Sequence, residues 1–455
     1  MRGVSTLPRN RILHHDLSVS LVPEKSFLAA KDRLNIAGGA GDVDLLLYLG
    51  NHFALTGAWQ DGHRLGIEVV EERRRSRRHR LIGWDSSGPP VEVRWEGTYD
   101  SFEGSKVCII SSQLIELSSF GYWFPSVSPY SEYESFTYGL EVDLQPDWDL
   151  VTVGTSEHGD VKRRSYRRQR PIGDIFLCAV PRFDCTLDQG DGGVTRVYSV
   201  GLDEKTRHAV SYDYRRCITL MARHFGPMLP GRGGVVVISP RGAEGEQWGF
   251  ERGDLWVIGD LFAQEIVETN WRPPYSTGPM SLSLHETIHS WFGLGLEFND
   301  PWLVEAITQY LQVVLGEELF QQPGLAEACF DSYVPRVLTK LEKDDRAISA
   351  LTWLDNPYEQ WYLKGSWALW DLEAATGRGP VLAALASIYR RHAGERIAYA
   401  EFEVELDGFL GTAAAVKGHL RHWFGGNGFA PLVRRDVASD TLPEAKAGDR
   451  SGASG

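Results

Sequence analysis

The stretch Ser281-Leu-Ser-Leu-His285-Glu286-Thr-Ile-His289-Ser-Trp291-Phe-Gly293, followed by Asn299-Asp-Pro-Trp302-Leu-Val-Glu305-Ala-Ile-Thr-Gln-Tyr310, decides how this chain is read. Residues four apart on a helix lie one above the other, so His285 and His289 present two imidazoles on one face, at a separation a single Zn²⁺ can bridge. Glu286 sits one step round the helix, beside such an ion rather than on it. It is placed to take a proton from a water that the ion acidifies. A catalytic zinc takes three protein ligands and keeps one position open. Asp300-Pro301 spells an N-cap with proline at the first helical position, which puts Glu305 in the second turn of a new helix and makes it the best third ligand. Glu297 and Asp300 are the substitutes. The same residues have a plainer reading, in which Ser283 and Glu286 form a capping box at a helix start.

A third histidine in the spacing H-E-x-x-H-x-x-G-x-x-H is absent, because Phe292 and Gly295 occupy the glycine and histidine positions. What remains, H-E-x-x-H-S-W-F-G and then P-W-L-V-E-A-I-T-Q-Y, resembles the gluzincin signature of the aminopeptidase N family, with the related glycyl aminopeptidases as near kin. Two departures stand out: only fifteen residues separate His289 from Glu305, a shorter link than the family's, and Ala306 stands where the family has glycine. The resemblance implies a zinc-dependent metallopeptidase, one Zn²⁺ per chain on His285, His289 and Glu305, with Glu286 as general base.

Two further stretches extend the resemblance. Gly245-Glu246-Gln-Trp-Gly249-Phe-Glu251-Arg252 reads as an edge strand by a cleft. It is similar to the family segment whose glutamate grips the free α-amino group of the substrate, which makes Glu246 and Glu251 the substrate-binding candidates. Tyr362-Leu-Lys-Gly365 is similar to the family's Y-x-K-G, whose tyrosine donates its O–H to the developing oxyanion. Tyr358 is the neighbouring alternative.

At 455 residues, 42% of them hydrophobic and 24% charged, the chain has the composition of a multidomain globular protein. It holds no apolar run of about eighteen residues and its first residues lack a signal-peptide core. Five scattered cysteines without zinc-knuckle spacing read as reduced thiols, so a cytoplasmic location is expected. A formal charge of −14 speaks against nucleic acid as partner. Two basic runs, Arg73 to Arg80 and Lys162 to Arg170, interrupt it. They are expected to be solvated hairpin edges, with a docking surface for an acidic partner as the alternative.

Alternating segments such as Asp16-Leu-Ser-Val-Ser-Leu-Val22, Val91-Glu-Val-Arg-Trp95 and Tyr138-Gly-Leu-Glu-Val-Asp-Leu144, with the short run Lys106-Val-Cys-Ile-Ile110, make the first two hundred residues an antiparallel β-sandwich or saddle domain. His14 to Lys25 and Gly121-Tyr-Trp-Phe-Pro125 are similar to parts of the family's N-terminal β domain. After Asp203 the period changes. Glu204 to Phe225 reads as one amphipathic helix ending at Gly226-Pro227, Gly234 to Ser239 as a buried strand, and Ala328 to Leu341 (kinked at Pro335) and Gly379 to His392 as core helices. The expected organisation is multidomain α+β: residues 1–200 a β domain, 201–432 a thermolysin-like gluzincin catalytic domain with a small mixed sheet and helices, and 433–455 a disordered tail. The expected function is an aminopeptidase acting on peptides. An endopeptidase or other zinc hydrolase, or a gluzincin-shaped binding scaffold, are the alternatives.

Overall fold

The computed structural model describes residues 10–38, 44–99, 108–128, 134–157, 163–190, 193–229, 234–240, 249–253, 255–268, 281–344, 346–351, 358–411 and 419–426. The tail expected at 433–455 and Glu246 lie outside the described residues. The architecture is α+β, with β structure first and helices after it.

The alternating segments build sheets because alternate side chains point to one face. In the strand Arg11–Val22 the inward set includes Leu17, Val19 and Leu21, all buried. That strand lies in the middle of an eight-stranded sheet, between Phe27–Ala37 and Phe136–Asp143. The sheet is antiparallel except at one junction, where His14 pairs with Thr137 in a parallel register with Phe136–Asp143. A four-stranded sheet (Asp149–Thr152, Leu177–Val180, Ile115–Leu117, Ile109–Ile110) and a three-stranded one (Leu45–Gly50, Ser76–Ile82, Gly66–Glu72) complete this part.

The basic runs are not sheet edges. Ser76–Ile82 is the central strand of its sheet, and Arg163–Ile172 lies between Phe136–Asp143 and Thr155–Glu157. Carboxylates across the ladder meet their charges, Arg77 with Glu72, Arg80 with Glu68 and Arg167 with Glu157; Arg80 also meets Asp44, and Arg73 pairs with Glu71 two residues before it. Cross-strand pairing of opposite charges, rather than edge protection, accounts for these runs.

The sheet that positions the site has five strands: β1 (Asp184–Gly190), β2 (Gly193–Ser199), β3 (Val235–Ser239), β4 (Gly249–Arg252) and β5 (Leu255–Gly259), in the order β1-β2-β3-β5-β4. It takes in two strands that precede residue 201. β2, β3 and β5 run parallel, and β4 closes the edge antiparallel to β5. Its two faces serve two cores. Val236, Ile238, Trp256 and Ile258 pack with the helices, whereas Val237, Phe250, Leu255 and Val257 pack with the N-terminal sheets.

Helix α1 (Glu204–Phe225) starts where the Asp203 carboxylate accepts the Thr206 N–H at 2.7 Å and stops at Gly226, φ +92°, ahead of Pro227. After α2 (Asp260–Glu268) comes α3 (Leu282–His289), which carries the H-E-x-x-H residues, and α4 (Pro301–Phe320), which carries Glu305. Next follow α5 (Leu325–Leu341, with Pro335 inside), a π-helical segment (Glu359–Lys364), α6 (Gly365–Thr376), α7 (Arg378–His392), α8 (Tyr399–Leu410) and α9 (His419–Gly425). Helix α4 is buried nearly all round and packs on α1, α3, α5, α6 and the π-helical segment. All five cysteines are free thiols, and among the described residues no helix is long and apolar enough to cross a membrane.

Candidate active site

Helix α3 is capped by Ser281, whose hydroxyl accepts the Leu284 N–H at 3.1 Å. Ser283 lies one residue inside the helix and Glu286 in its middle. The capping-box reading is therefore overturned, and the Glu286 carboxyl is free of any duty at the helix start. The α3 end is fixed by Trp291, whose indole N–H donates to the Gly226 carbonyl at 3.0 Å. The chain then reverses within a short turn, where Gly293 takes φ +127° and its N–H donates to Leu296 O at 2.8 Å. This tight reversal lets only fifteen residues join His289 to Glu305. Glu297 and Asp300, the substitute ligands, are used up in holding the reversal: Glu297 pairs with Arg396 at 2.6 Å, and Asp300 Oδ2 accepts the Tyr399 N–H at 3.0 Å.

Helices α3 and α4 bring His285, His289 and Glu305 together, with one ligand atom of each within 4.8 Å of the others. Glu305 Oε2 lies 3.6 Å from Nε2 of both histidines. It is buried and has no hydrogen-bond partner. A buried carboxylate oxygen left unpaired is costly, and a cation set between the three atoms would satisfy it. Two imidazoles and one carboxylate are a donor set suited to zinc, so the residues fit the ion that the spacing implies.

Behind the ligands stands a set of partners not foreseen from the sequence. Gln312, fully buried on α4, accepts from His285 Nδ1 at 3.0 Å and donates through Nε2 to Ser281 O at 2.9 Å. Since the amide nitrogen serves a carbonyl, its oxygen faces the ring, which fixes the Nδ1–H tautomer and leaves the Nε2 lone pair toward Glu305. Thr308 Oγ1 stands 3.4 Å from His289 Nδ1. Thr308 and Gln312 follow Glu305 by three and seven residues, so one helix face supplies the ligand and both supports. That spacing was the available signal.

Burial and neighbouring charges act differently on the four groups. Burial drives the His289 imidazole down to about 4, which keeps it neutral. Burial also lowers His285, but Glu305 and Glu286 together outweigh it and leave the ring raised. Burial pushes the Glu286 carboxyl up to about 7; the Glu305 charge adds to the rise, while His285, Arg252 and the Glu251 backbone N–H pull against it. Glu305 is lowered net, the two histidines outweighing its burial.

Tyr362 lies on the π-helical segment, a distortion common at functional sites. Its ring stacks on His285 (centroids 5.8 Å apart, planes 11° apart), and its phenol lies beside the Glu305 carboxylate. Burial first, and the Glu305 charge second, keep the phenol protonated. Tyr358 stacks behind it at 4.8 Å and under Arg336. Gly365 follows, packed so closely on α4 that a Cβ there would sit 2.7 Å from the Ala306 Cβ. On the other side of α3 runs β4. Its Glu251 is buried, with its backbone N–H directed at the Glu286 carboxyl and its own Oε1 3.5 Å from Ser290 Oγ. Trp256 of β5 donates to the Glu286 carbonyl at 3.1 Å and completes the tie between sheet and helix.

No family model and no curated protein matches the sequence. Solved structures do match its fold. An M1 zinc metallopeptidase from Deinococcus radiodurans superposes with a TM-score of 0.65 at 17% identity, over 93% of this chain and 95% of that one. A mutant of that enzyme bound to a Tyr-Ser-Ala substrate gives 0.67 at 17% identity, over 93% and 96%. Native yeast LTA4 hydrolase gives 0.70 at 15% identity, over 93% of this chain and 69% of that one. The arrangement of β sheets, five-stranded sheet and helices around His285, His289 and Glu305 is thus the M1 zinc metallopeptidase fold.

Proposed function

We propose that this protein is a zinc-dependent metallopeptidase that acts as an aminopeptidase on short peptides. The observation that carries this reading is the convergence of His285, His289 and the unpaired Glu305 Oε2 beside a buried Glu286, within the M1 fold. With it goes the expected division into a β domain over residues 1–200 and a catalytic domain over 201–432, whose sheet draws the strands Asp184–Gly190 and Gly193–Ser199 from the first stretch.

His285, His289 and Glu305 would hold the zinc, and the ion when bound would polarise the scissile carbonyl and acidify the attacking water. Glu286 takes the proton of that water on its carboxylate and hands it to the leaving amine. Burial beside the ligand helix keeps this proton transfer out of bulk water. Tyr362, held by its stack on His285, donates its phenolic O–H to the oxygen on which charge develops. Glu251, on the edge strand, offers a carboxylate to the substrate's α-ammonium group. Glu246 is the alternative for that duty.

The test is zinc content of the purified protein together with aminoacyl-coumarin amides, each with a free and with an acetylated amino group. One zinc per chain and cleavage of the free-amine series alone are expected. Cleavage of both series would replace the aminopeptidase reading by an endopeptidase. Zinc without cleavage of either, or of longer peptides, would remove the peptidase reading.

A further inference from the structure

Among the described residues strand β4 pairs with one other strand. Its four residues pair with β5 from Gly249↔Ile258 to Arg252↔Leu255, and its other edge carries no strand among the described residues. A second attachment comes from Arg252. Its Nε donates to Asp174 Oδ2 at 2.6 Å and its Nη1 to Glu251 O at 2.8 Å. The guanidinium also lies 4.5 Å from the centroid of Phe120 and 4.6 Å from that of Phe250. The remaining Asp174 oxygen accepts the Ser119 backbone N–H at 2.7 Å.

The two charged side chains are 17% and 4% exposed. A continuous hydrogen-bonded path therefore runs from Ser119 through Asp174 and Arg252 to the main chain of Glu251. Two neighbouring contacts brace the same junction. The Trp123 indole donates to Ile175 O at 3.0 Å. Gly253, φ +66°, sits where a Cβ would be 2.5 Å from Ile172 Cδ1.

We propose that Arg252 and Asp174 form a positioning clamp, which sets β4 against α3 and so fixes the reach of Glu251 and of its backbone N–H toward Glu286. This rests on the function proposed above. A buried ion pair adds little net stability over apolar groups of the same shape, but its bonds are directional. A bidentate-capable guanidinium between a carboxylate and a main-chain carbonyl locates that carbonyl in a way that packing alone does not.

The experiment compares Arg252→Met, Arg252→Lys and Asp174→Asn in the full zinc-loaded chain. It reads zinc content, kcat and KM on the free-amine coumarin amides, and amide exchange of residues 249–252. Expected are one zinc per chain in every variant, kcat/KM lower by about tenfold or more in Arg252→Met and Asp174→Asn, partial recovery in Arg252→Lys, and faster exchange in 249–252. A part that serves stability alone would lower the unfolding midpoint and leave kcat/KM per folded, zinc-loaded molecule within about twofold of the unsubstituted protein. That result in Asp174→Asn, or unchanged exchange in 249–252, overturns the clamp. Where Arg252→Met fails to fold, Asp174→Asn and Arg252→Lys decide. Should the unsubstituted protein cleave none of the amides, the proposed function falls, and amide exchange alone judges the clamp.

Discussion

Replacing Gln312 by Leu removes one hydrogen-bond acceptor behind the site and keeps side-chain volume nearly constant. In the structure that acceptor serves His285 Nδ1–H at 3.0 Å, in a spot without solvent. The Ser281 carbonyl loses its second bond but keeps the one from the His285 backbone N–H at 3.0 Å. The main cost is therefore one buried ring N–H left unpaired, about 1–3 kcal/mol of folding stability. The metal side is more telling. Without its partner the ring turns more freely and its Nε2 lone pair is less basic, and loss of such a support weakens metal binding by about 10- to 100-fold. In free energy that is about 1.4–2.7 kcal/mol. Zinc affinity measured by competition with a chelator, alongside a urea midpoint, separates the two effects. Gln312→Glu is the control: it keeps an acceptor for His285 but sets a carboxylate against the Ser281 carbonyl, so it should retain zinc while losing stability. A Gln312→Leu protein whose zinc affinity lies within about twofold of the parent would refute the reasoning.

Glu286→Gln should bind zinc stoichiometrically and lose turnover by about 10²-fold or more, since it removes a proton acceptor without touching a ligand; normal turnover would sink the role given to Glu286. Tyr362→Phe should lower kcat with zinc content unchanged, and an unaltered kcat would pass the donor role to Tyr358 or abolish it. Gly365→Ala should cost about 1–3 kcal/mol of stability and lower kcat as well, because the added methyl meets the Ala306 Cβ at 2.7 Å and pushes the π-helical segment away from α4; thermal midpoints and kcat read both. Asp213, buried on α1 near Ser283, has its carboxyl pushed up to about 6 by burial. The native chain holds that proton while the unfolded chain releases it near 3.8, so this group withdraws stability as pH rises from about 4 to 6. Asp213→Asn should lack that slope and gain up to about 3 kcal/mol on the parent between pH 4 and 7, by urea unfolding at several pH values; parallel stability–pH curves would contradict it.

Local periodicity carried much of the fold. The strands around Leu17, Val93 and Leu140 lie where alternation put them, and α1 spans the residues between the Asp203 cap and Gly226. The basic strands were misplaced as edges, because a run of arginines has the same composition in a central strand as at an edge. What distinguishes the two is the carboxylate ladder opposite, which only pairing of Ser76–Ile82 with Gly66–Glu72 supplies.

At the site the same division holds. His285, Glu286 and His289 were legible because a helix maps a fixed spacing onto a fixed face. Glu305 was legible in turn because Asp300-Pro301 announces where its helix begins. Spacing put Glu305 first and kept Glu297 and Asp300 as substitutes; in the structure those two are bonded to Arg396 and Tyr399 N, and Glu305 Oε2 lies between two imidazoles without a hydrogen bond. Asp174 and Arg252 belong to the other class. Spacing along the chain says nothing of Asp174 meeting Arg252 across 78 residues. Short-range order follows from backbone geometry and is written locally, whereas the supports of a buried site are contacts between distant segments and exist only once both cores have packed against the five-stranded sheet.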